Sequence, residues 1–425
     1  MSKNKSIRAI SFLWLGSLLG AGCAFLIQVI LARTLGRNDF GIFASALATV
    51  TLMVPLAGFG IAPYWLKIFG EEGWNGQRWW HGSFRFASIT TILALVALFS
   101  WGELGPVNLS MKIALWMLLP YLFGQVVLEL VSGKLQLEEK YTKLAMWQFS
   151  PHFFRLLLIS ISVIFLNESI KIHQAIFAHS FISIVLFCFG IASLKATWNG
   201  KFDLKGHGEK IAKLHNSVTP SAITVAKGSW PFGADAFFYL VFFQSGIILL
   251  QYFDGPQSAG VYNTAFIIIS AIYLFPSAIY QKFLIPKLHR WANQNIQMLS
   301  HSYNQGNRYM LIFGIAAFVM ILANSWWALP LIFGEEYSEA VKVLNILAVG
   351  VPIRFVSTSA GSILITKNNI KLKVKNMAAA ALCNIVLATT MIPTLGITGV
   401  AIASVISDAL LLCLYLISVK THVFK

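Results

Sequence analysis

Twelve stretches of this 425-residue chain are apolar and long enough to cross a lipid bilayer, and that pattern leaves few folds open. Spanning the hydrocarbon core as a helix takes roughly 20 apolar residues. The stretches cover about 9–32, 41–66, 84–102, 111–132, 145–166, 172–194, 230–252, 260–281, 308–331, 340–365, 376–393 and 397–418. The last two lie so close together that a count of eleven stays open. Charged residues are only 11% of the chain and hydrophobic ones 57%, with mean hydropathy +0.71. A soluble domain carries roughly 25% charged residues. The expected fold is an all-α polytopic membrane protein.

The chain also repeats itself. Leu31-Ala-Arg-Thr-Leu-Gly-Arg-Asn-Asp-Phe-Gly-Ile-Phe-Ala-Ser-Ala46 has a counterpart in Leu250-Gln-Tyr-Phe-Asp-Gly-Pro-Gln-Ser-Ala-Gly-Val-Tyr-Asn-Thr-Ala265. Gly36 and Gly255 stand 219 residues apart, as do Gly41 and Gly260. Each copy lies between two long apolar runs, the arrangement of a transporter built from two similar halves. Residues 1–194 and 230–425 would then form two six-helix halves, with 195–229, which holds six Lys, as a flexible cytoplasmic linker. Lys282–Arg308 reads as an amphipathic helix lying along the inner interface, with Leu288, Trp291, Met298 and Leu299 as its apolar members.

The formal net charge of +16 is a matter of topology. With a cytoplasmic N-terminus, 25 of the 32 Lys and Arg fall on cytoplasmic segments and five on outer ones, Arg33, Arg37, Lys112, Lys171 and Lys342. That asymmetry follows the positive-inside rule, places both termini in the cytoplasm, and makes anionic lipid rather than nucleic acid the partner of the basic excess. Cys23, Cys188, Cys383 and Cys413 sit in apolar spans without metal or disulfide spacing and read as small packing residues. Gly16, Gly20 and Gly22 would let helices approach closely, and Pro120, Pro276 and Pro352 would kink their spans.

Four passages carry a family resemblance. Leu31–Phe43 is similar to the segment joining the first two helices of polysaccharide-exporting flippases, and Pro55-Leu-Ala-Gly-Phe-Gly-Ile61 to their second helix. Pro330-Leu-Ile-Phe-Gly-Glu-Glu-Tyr-Ser-Glu-Ala340 resembles the signature between their ninth and tenth helices. Asn384 through Ala401, with Pro393, Gly396 and Gly399, resembles their last two. The resemblance implies a Wzx-type O-antigen or capsule-repeat flippase of the multidrug/oligosaccharidyl-lipid/polysaccharide exporter superfamily. It further implies twelve helices in two pseudo-symmetric, MATE-like bundles in a bacterial inner membrane. The cargo would be an undecaprenyl-diphosphate-linked oligosaccharide moved from the cytoplasmic to the periplasmic leaflet, with other glycan-assembly proteins such as the polymerase as partners. One departure is that members often carry an Asp in the seventh helix where this chain has Gln244-Ser245-Gly246.

Charges inside a span are expensive and each calls for a role. Arg155 and Arg354 fall near mid-bilayer. Guanidinium groups hold phosphate through paired hydrogen bonds, so both are candidates for a cargo diphosphate. The alternative is that each pairs with a carboxylate and holds helices together. Gln148, His152 and Arg155 share one helix face at i, i+4 and i+7, as do Gln125, Glu129 and Ser132. Two polar stripes on otherwise apolar helices predict a wet cavity wall. Asp235, Asp408 and Glu129 are candidates for ion coupling. Gln28 and Asn384 could meet sugar hydroxyls or serve as helix–helix glue, and His179 reads as a packed histidine.

No nucleotide-binding loop, zinc motif or serine elbow occurs, so neither a cofactor, a metal nor enzymatic activity is expected. A polytopic glycan polymerase or ligase would carry a long outer loop, and this chain has none. A drug or cation antiporter of the same superfamily remains the main alternative, against which the arginines favour an anionic cargo.

Overall fold

A computed structural model describes residues 3–165, 171–199, 201–205, 219–284, 288, 291–292, 295–365 and 369–424. The described elements are helical: α1 (Lys3–Met53), α2 (Ile61–Glu72), α3 (Trp80–Leu104), α4 (Leu109–Met117), α5 (Leu119–Leu137) and α6 (Tyr141–Phe165) come first. They are followed by α7 (Ile172–Trp198), α8 (Ala222–Phe253), α9 (Pro256–Ser277), α10 (Ile296–Phe333), α11 (Ala340–Ile363) and α12 (Ile370–His422).

Ten helical stretches among the described residues are long and apolar enough to cross a membrane. Among those far longer than one crossing needs are Phe12–Met53 with 42 residues and Ile370–His422 with 53. Both break at a glycine, Gly36 (φ 71°) and Gly396 (φ 54°), where the sequence separates neighbouring spans. Dividing both helices there takes the ten stretches to twelve. Gly is the residue that takes such positive φ without a Cβ clash, so each serves as a sharp elbow.

The second expected span is not continuous. α1 ends at Met53 and α2 begins at Ile61, and between them Gly58, Phe59 and Gly60 all have positive φ, 85°, 32° and 75°. A bulky residue such as Phe59 adopts that conformation only where its surroundings hold it. Pro120 does not kink a helix interior as expected. It is the second residue of α5, after the chain has already broken at Leu118, where its missing N–H is harmless.

By packing, the chain divides into two compact units. The first holds residues 1–27 and 49–237, the second 28–48 and 238–425. In the first unit the break before α2 rests on α8, because a methyl on Gly60 would stand 2.3 Å from the Gly233 nitrogen. It also rests on α5, where a methyl on Gly58 would meet Val126 at 3.6 Å. Residues following α7 are held rather than loose. Phe202 and Leu204 are buried, and Phe202 packs on Phe69, Trp74 and Trp80. The rest of the expected linker, 206–218, lies outside the described residues.

In the second unit the two copies of the repeat meet as symmetric partners. A methyl on Gly41 would lie 1.7 Å from the Pro256 carbonyl oxygen, and one on Gly260 would lie 2.6 Å from that of Arg37. Arg37 and Pro256 are themselves repeat equivalents, so the glycines permit backbone-on-backbone contact about a local two-fold. The 330–340 passage packs on the same segment. Arg33 donates from Nε to the Ile332 carbonyl at 2.8 Å and from Nη2 to that of Leu331, placing a cation at the last turn of α10. Tyr337 is fully buried against Phe40 and donates to the Ala32 carbonyl at 3.0 Å. Burial and the Glu336 carboxylate push its phenol above the ordinary range, against the opposing Arg37 charge, so it remains a donor.

Two expectations fail locally. The second half of Lys282–Arg308 is no separate interfacial helix: from Ile296 it continues into α10, and Leu299 is fully buried. Cys188 and Cys413 are exposed on their helices instead of packed.

Candidate functional site

The first unit holds an open cavity of about 590 Å³ between α1, α5 and α6, lined by apolar and polar groups together. Both predicted stripes contribute to its wall: Gln125, Glu129 and Ser132 from α5, and Gln148 and His152 from α6. The α1 side is built from small residues, among them Gly16, Ser17 and Gly20. A methyl on Gly16 would stand 3.1 Å from the Ala145 Cβ, and one on Gly20 would stand 3.5 Å from the His152 ring. Removing side chains from this face is what lets α6 approach α1 and still leaves an opening. Gly22, expected to pack likewise, meets nothing within 4 Å. Val54, the first residue of the helix break, completes the wall.

The stripe arithmetic explains how α5 serves two neighbours. Positions 126 and 133 touch the break and α2, where a methyl on Gly133 would meet the Ala62 Cβ at 3.0 Å. Positions 125, 129 and 132 are turned by one residue and face the cavity. Among the described residues, the side chains of Gln125, Glu129 and Gln148 make no hydrogen bond or ion pair, and Glu129 is exposed. Their hydrogen-bonding capacity is therefore directed at whatever enters.

Arg155 does not join them. It is 2% exposed, lies outside the cavity lining, donates to Ser183 Oγ at 3.1 Å and sits 5.0 Å from the Tyr121 ring centroid. No carboxylate pairs with it among the described residues, and its Nε finds no acceptor. His179 lies on α7 beside it, with Nδ1 2.9 Å from the Ala175 carbonyl oxygen, as a packed histidine would.

The second unit holds the other charges. Arg354 Nη1 donates to Asp408 Oδ1 at 3.0 Å, and both residues are 5% exposed. The guanidinium lies 4.4 Å from the Phe243 ring centroid and 5.1 Å from that of Phe242, with Tyr239 and Tyr273 at 5.7 and 6.0 Å. Of the two alternatives for Arg354, the geometry is that of the ion pair. Gln28 accepts from Asn263 at 3.5 Å, and Asn384 donates to the Phe242 carbonyl at 3.0 Å, so both act between helices. Asp235 is half-buried on α8 in the first unit and engaged by neighbouring groups. The sequence reading missed Ser17 and the break at Val54–Gly60 as parts of the cavity region. The Pro55-x-x-Gly58-x-Gly60 pattern was the available signal for the break.

Residues 6–291 match the model of a family described as polysaccharide biosynthesis protein. The chain belongs to that family. Over 410 residues it is 24% identical to an Escherichia coli (strain K12) protein named "Putative O-antigen transporter", covering 92% of this chain and 91% of the relative. Over 166 residues, 39% of this chain and 34% of the relative, it is 30% identical to a Haloferax volcanii protein named "Probable low-salt glycan biosynthesis flippase Agl15". Among solved structures, the lipid II flippase MurJ in an inward closed conformation superposes with TM-score 0.74 at 14% identity, covering 96% of this chain and 87% of MurJ. An inward-facing MATE transporter of the MOP superfamily superposes with TM-score 0.70 at 13% identity, covering 98% of both chains. At those identities the two structures establish the fold alone, an all-helical architecture shared with both. These relatives are named as transporters or flippases, and none of them as an enzyme.

Proposed function

We propose that this protein is a flippase that carries an undecaprenyl-diphosphate-linked oligosaccharide, the repeat unit of an O-antigen or similar surface glycan, from the cytoplasmic to the periplasmic leaflet by alternating access. The observation that carries the reading is the cavity within the first unit. Its Gln125, Gln148, Ser132 and His152 side chains present neutral donors and acceptors at membrane depth, suited to sugar hydroxyls and out of place in a merely structural helix bundle. Membership of the polysaccharide biosynthesis protein family supports a glycan as the cargo class. The basic cytoplasmic segments support an inner-membrane protein with both termini inside, in contact with anionic lipid. Glycan-assembly proteins such as the polymerase are expected partners.

In this reading Arg354 is not a diphosphate ligand, because Asp408 already matches its charge. Arg155 acts from behind the cavity, as an unmatched positive charge that favours anionic cargo nearby.

The test is reconstitution. Purified protein in proteoliposomes loaded with an undecaprenyl-diphosphate-linked oligosaccharide should make the inner-leaflet glycan accessible to an external glycosidase, and Gln148→Leu should slow that exposure. Equal accessibility in protein-free liposomes would sink the proposal. Transport of a cationic drug in place of the lipid-linked glycan would favour the antiporter alternative.

A further inference from the structure

A second opening lies within the second unit, apart from the first cavity. It is a groove of about 910 Å³ bounded by the end of α8, the start of α9, the first turns of α11 and the elbow of α12 at Gly396. The charge asymmetry of the sequence assigns this end of the helices to the outer face, with Lys342 among its few basic residues. The chain turns here at Gly255 (φ 93°) and Gly396 (φ 54°), and a methyl on Gly396 would stand 3.3 Å from Asp254 Oδ2.

The wall changes character with depth. On α11, Lys342, Asn345, Ile346 and Val349 recur at i, i+3, i+4 and i+7, so they share one helix face. Seven residues along a helix amount to about 10 Å. Over that distance the face passes from an ammonium through an amide to bare hydrocarbon. Val349 and Leu395, both on the groove, are 46% and 47% exposed. Sugar hydroxyls would find no partner on such a floor, whereas an acyl chain would cover it favourably.

At the shallow end the free charges are of both signs. Among the described residues, neither Asp254 nor Lys342 makes a side-chain hydrogen bond or ion pair, and both are exposed. Asn345 accepts from Ser325 Oγ at 2.7 Å through its oxygen, which leaves its amide N–H groups to donate. Glu339, at the rim, is already matched by Arg37 at 3.5 Å and takes no part. One free carboxylate and one free ammonium on the same wall suit a ligand that is itself zwitterionic. A diphosphate would meet Asp254 without compensation.

We infer that this groove seats an outer-leaflet phospholipid whose headgroup carries both a primary ammonium and a phosphate, a phosphatidylethanolamine. Its ammonium donates to Asp254, its phosphate takes Lys342 and the Asn345 amide, and an acyl chain lies along Ile346, Val349 and Leu395. A choline headgroup keeps the positive charge but has no N–H to donate, and a glycerol headgroup has no positive charge. The inference is independent of the flippase reading, since none of these residues lines the first-unit cavity.

Thermal unfolding of the full-length protein in detergent, followed by tryptophan fluorescence, tests it. The midpoint is measured against increasing dioleoyl phosphatidylethanolamine, phosphatidylcholine or phosphatidylglycerol in mixed micelles. The variants are Asp254→Asn, Lys342→Gln and Glu335→Gln, the last an exposed carboxylate outside the groove. For the wild type, phosphatidylethanolamine should raise the midpoint saturably, with half-saturation about tenfold below that of the other two lipids. Asp254→Asn should erase the preference over choline by raising the ethanolamine value about tenfold. Lys342→Gln should weaken the ethanolamine and choline lipids together and keep their ratio, and Glu335→Gln should match the wild type. Should Asp254→Asn fail to fold, the parallel weakening in Lys342→Gln decides the matter. Equal wild-type responses to all three lipids overturn the inference, as does an ethanolamine preference undiminished in both groove variants, because the lipids would then only surround the protein. A midpoint raised by oligosaccharide released from the native surface glycan, with no response to phosphatidylethanolamine, overturns it in favour of a sugar site.

Discussion

Replacing Gly41 with Ala should damage the second unit more than any other single methyl addition at the repeat. The methyl would stand 1.7 Å from the Pro256 carbonyl oxygen and 2.5 Å from its carbon, whereas ordinary contact begins near 3.4 Å. The obstacle is backbone, so no side-chain rotation relieves it, and the segments must separate. Overpacking of this kind costs typically about 1–3 kcal/mol, occasionally more. Against that, Ala is worth roughly 0.5–1 kcal/mol over Gly in a helix interior. The net expectation for Gly41→Ala is a loss of about 1–2 kcal/mol. Gly260→Ala, whose methyl meets Arg37 O at 2.6 Å, should lose less. Gly22→Ala is the control, since nothing lies within 4 Å, and it should be neutral or slightly stabilising. Thermal unfolding of the three purified variants in one detergent gives the order directly. A Gly41→Ala midpoint at or above wild type, or a Gly22→Ala loss as large, would refute the packing argument.

Other consequences can be checked with the same preparations. Asp408→Asn should strand the Arg354 charge among its aromatic rings, costing about 3–5 kcal/mol and most of the folded yield in size-exclusion chromatography, while Arg354→Met with Asp408→Leu should recover much of it. Tyr337→Phe removes only the donation to Ala32 and should lower stability by about 1–3 kcal/mol in denaturant unfolding, because a buried carbonyl loses its partner. Gly20→Leu should fill the space beside His152 and abolish glycan export at normal protein level, whereas Gly20→Ala, with its methyl at 3.5 Å, should retain it.

The membrane spans were legible because twenty-residue apolar runs have one inexpensive conformation in lipid. The stripes were legible for a related reason: Gln125, Glu129 and Ser132 repeat with the helix, so their common face follows from geometry alone. Whether two such stripes close on one cavity depends on how α1, α5 and α6 pack, and the small residues Gly16 and Gly20 act where α6 meets α1, a tertiary contact. The arginines were harder. Depth along a helix placed Arg155 and Arg354 at mid-bilayer, but azimuth and partners depend on other chain segments. Asp408 lies 54 residues from Arg354, and Tyr121 and Ser183 flank Arg155 from helices on either side of it in sequence. The repeat announced itself at Gly36 and Gly41, yet its reason, backbone contact with its own copy, is a tertiary fact. The break at Val54–Gly60 hid within an apolar run because hydropathy does not register φ.

The most direct test of the central claim is made in the native bacterium. The gene is deleted and complemented with wild type, with Gln125→Leu plus Gln148→Leu, or with Glu339→Gln, at matched protein levels. Surface glycan and the lipid-linked repeat facing the cytoplasm are then measured together. The account predicts that deletion removes surface glycan while repeat units accumulate inside, that wild type and Glu339→Gln restore export, and that the cavity double variant does not. Undiminished surface glycan in the deletion strain, or full rescue by the cavity variant, would contradict it.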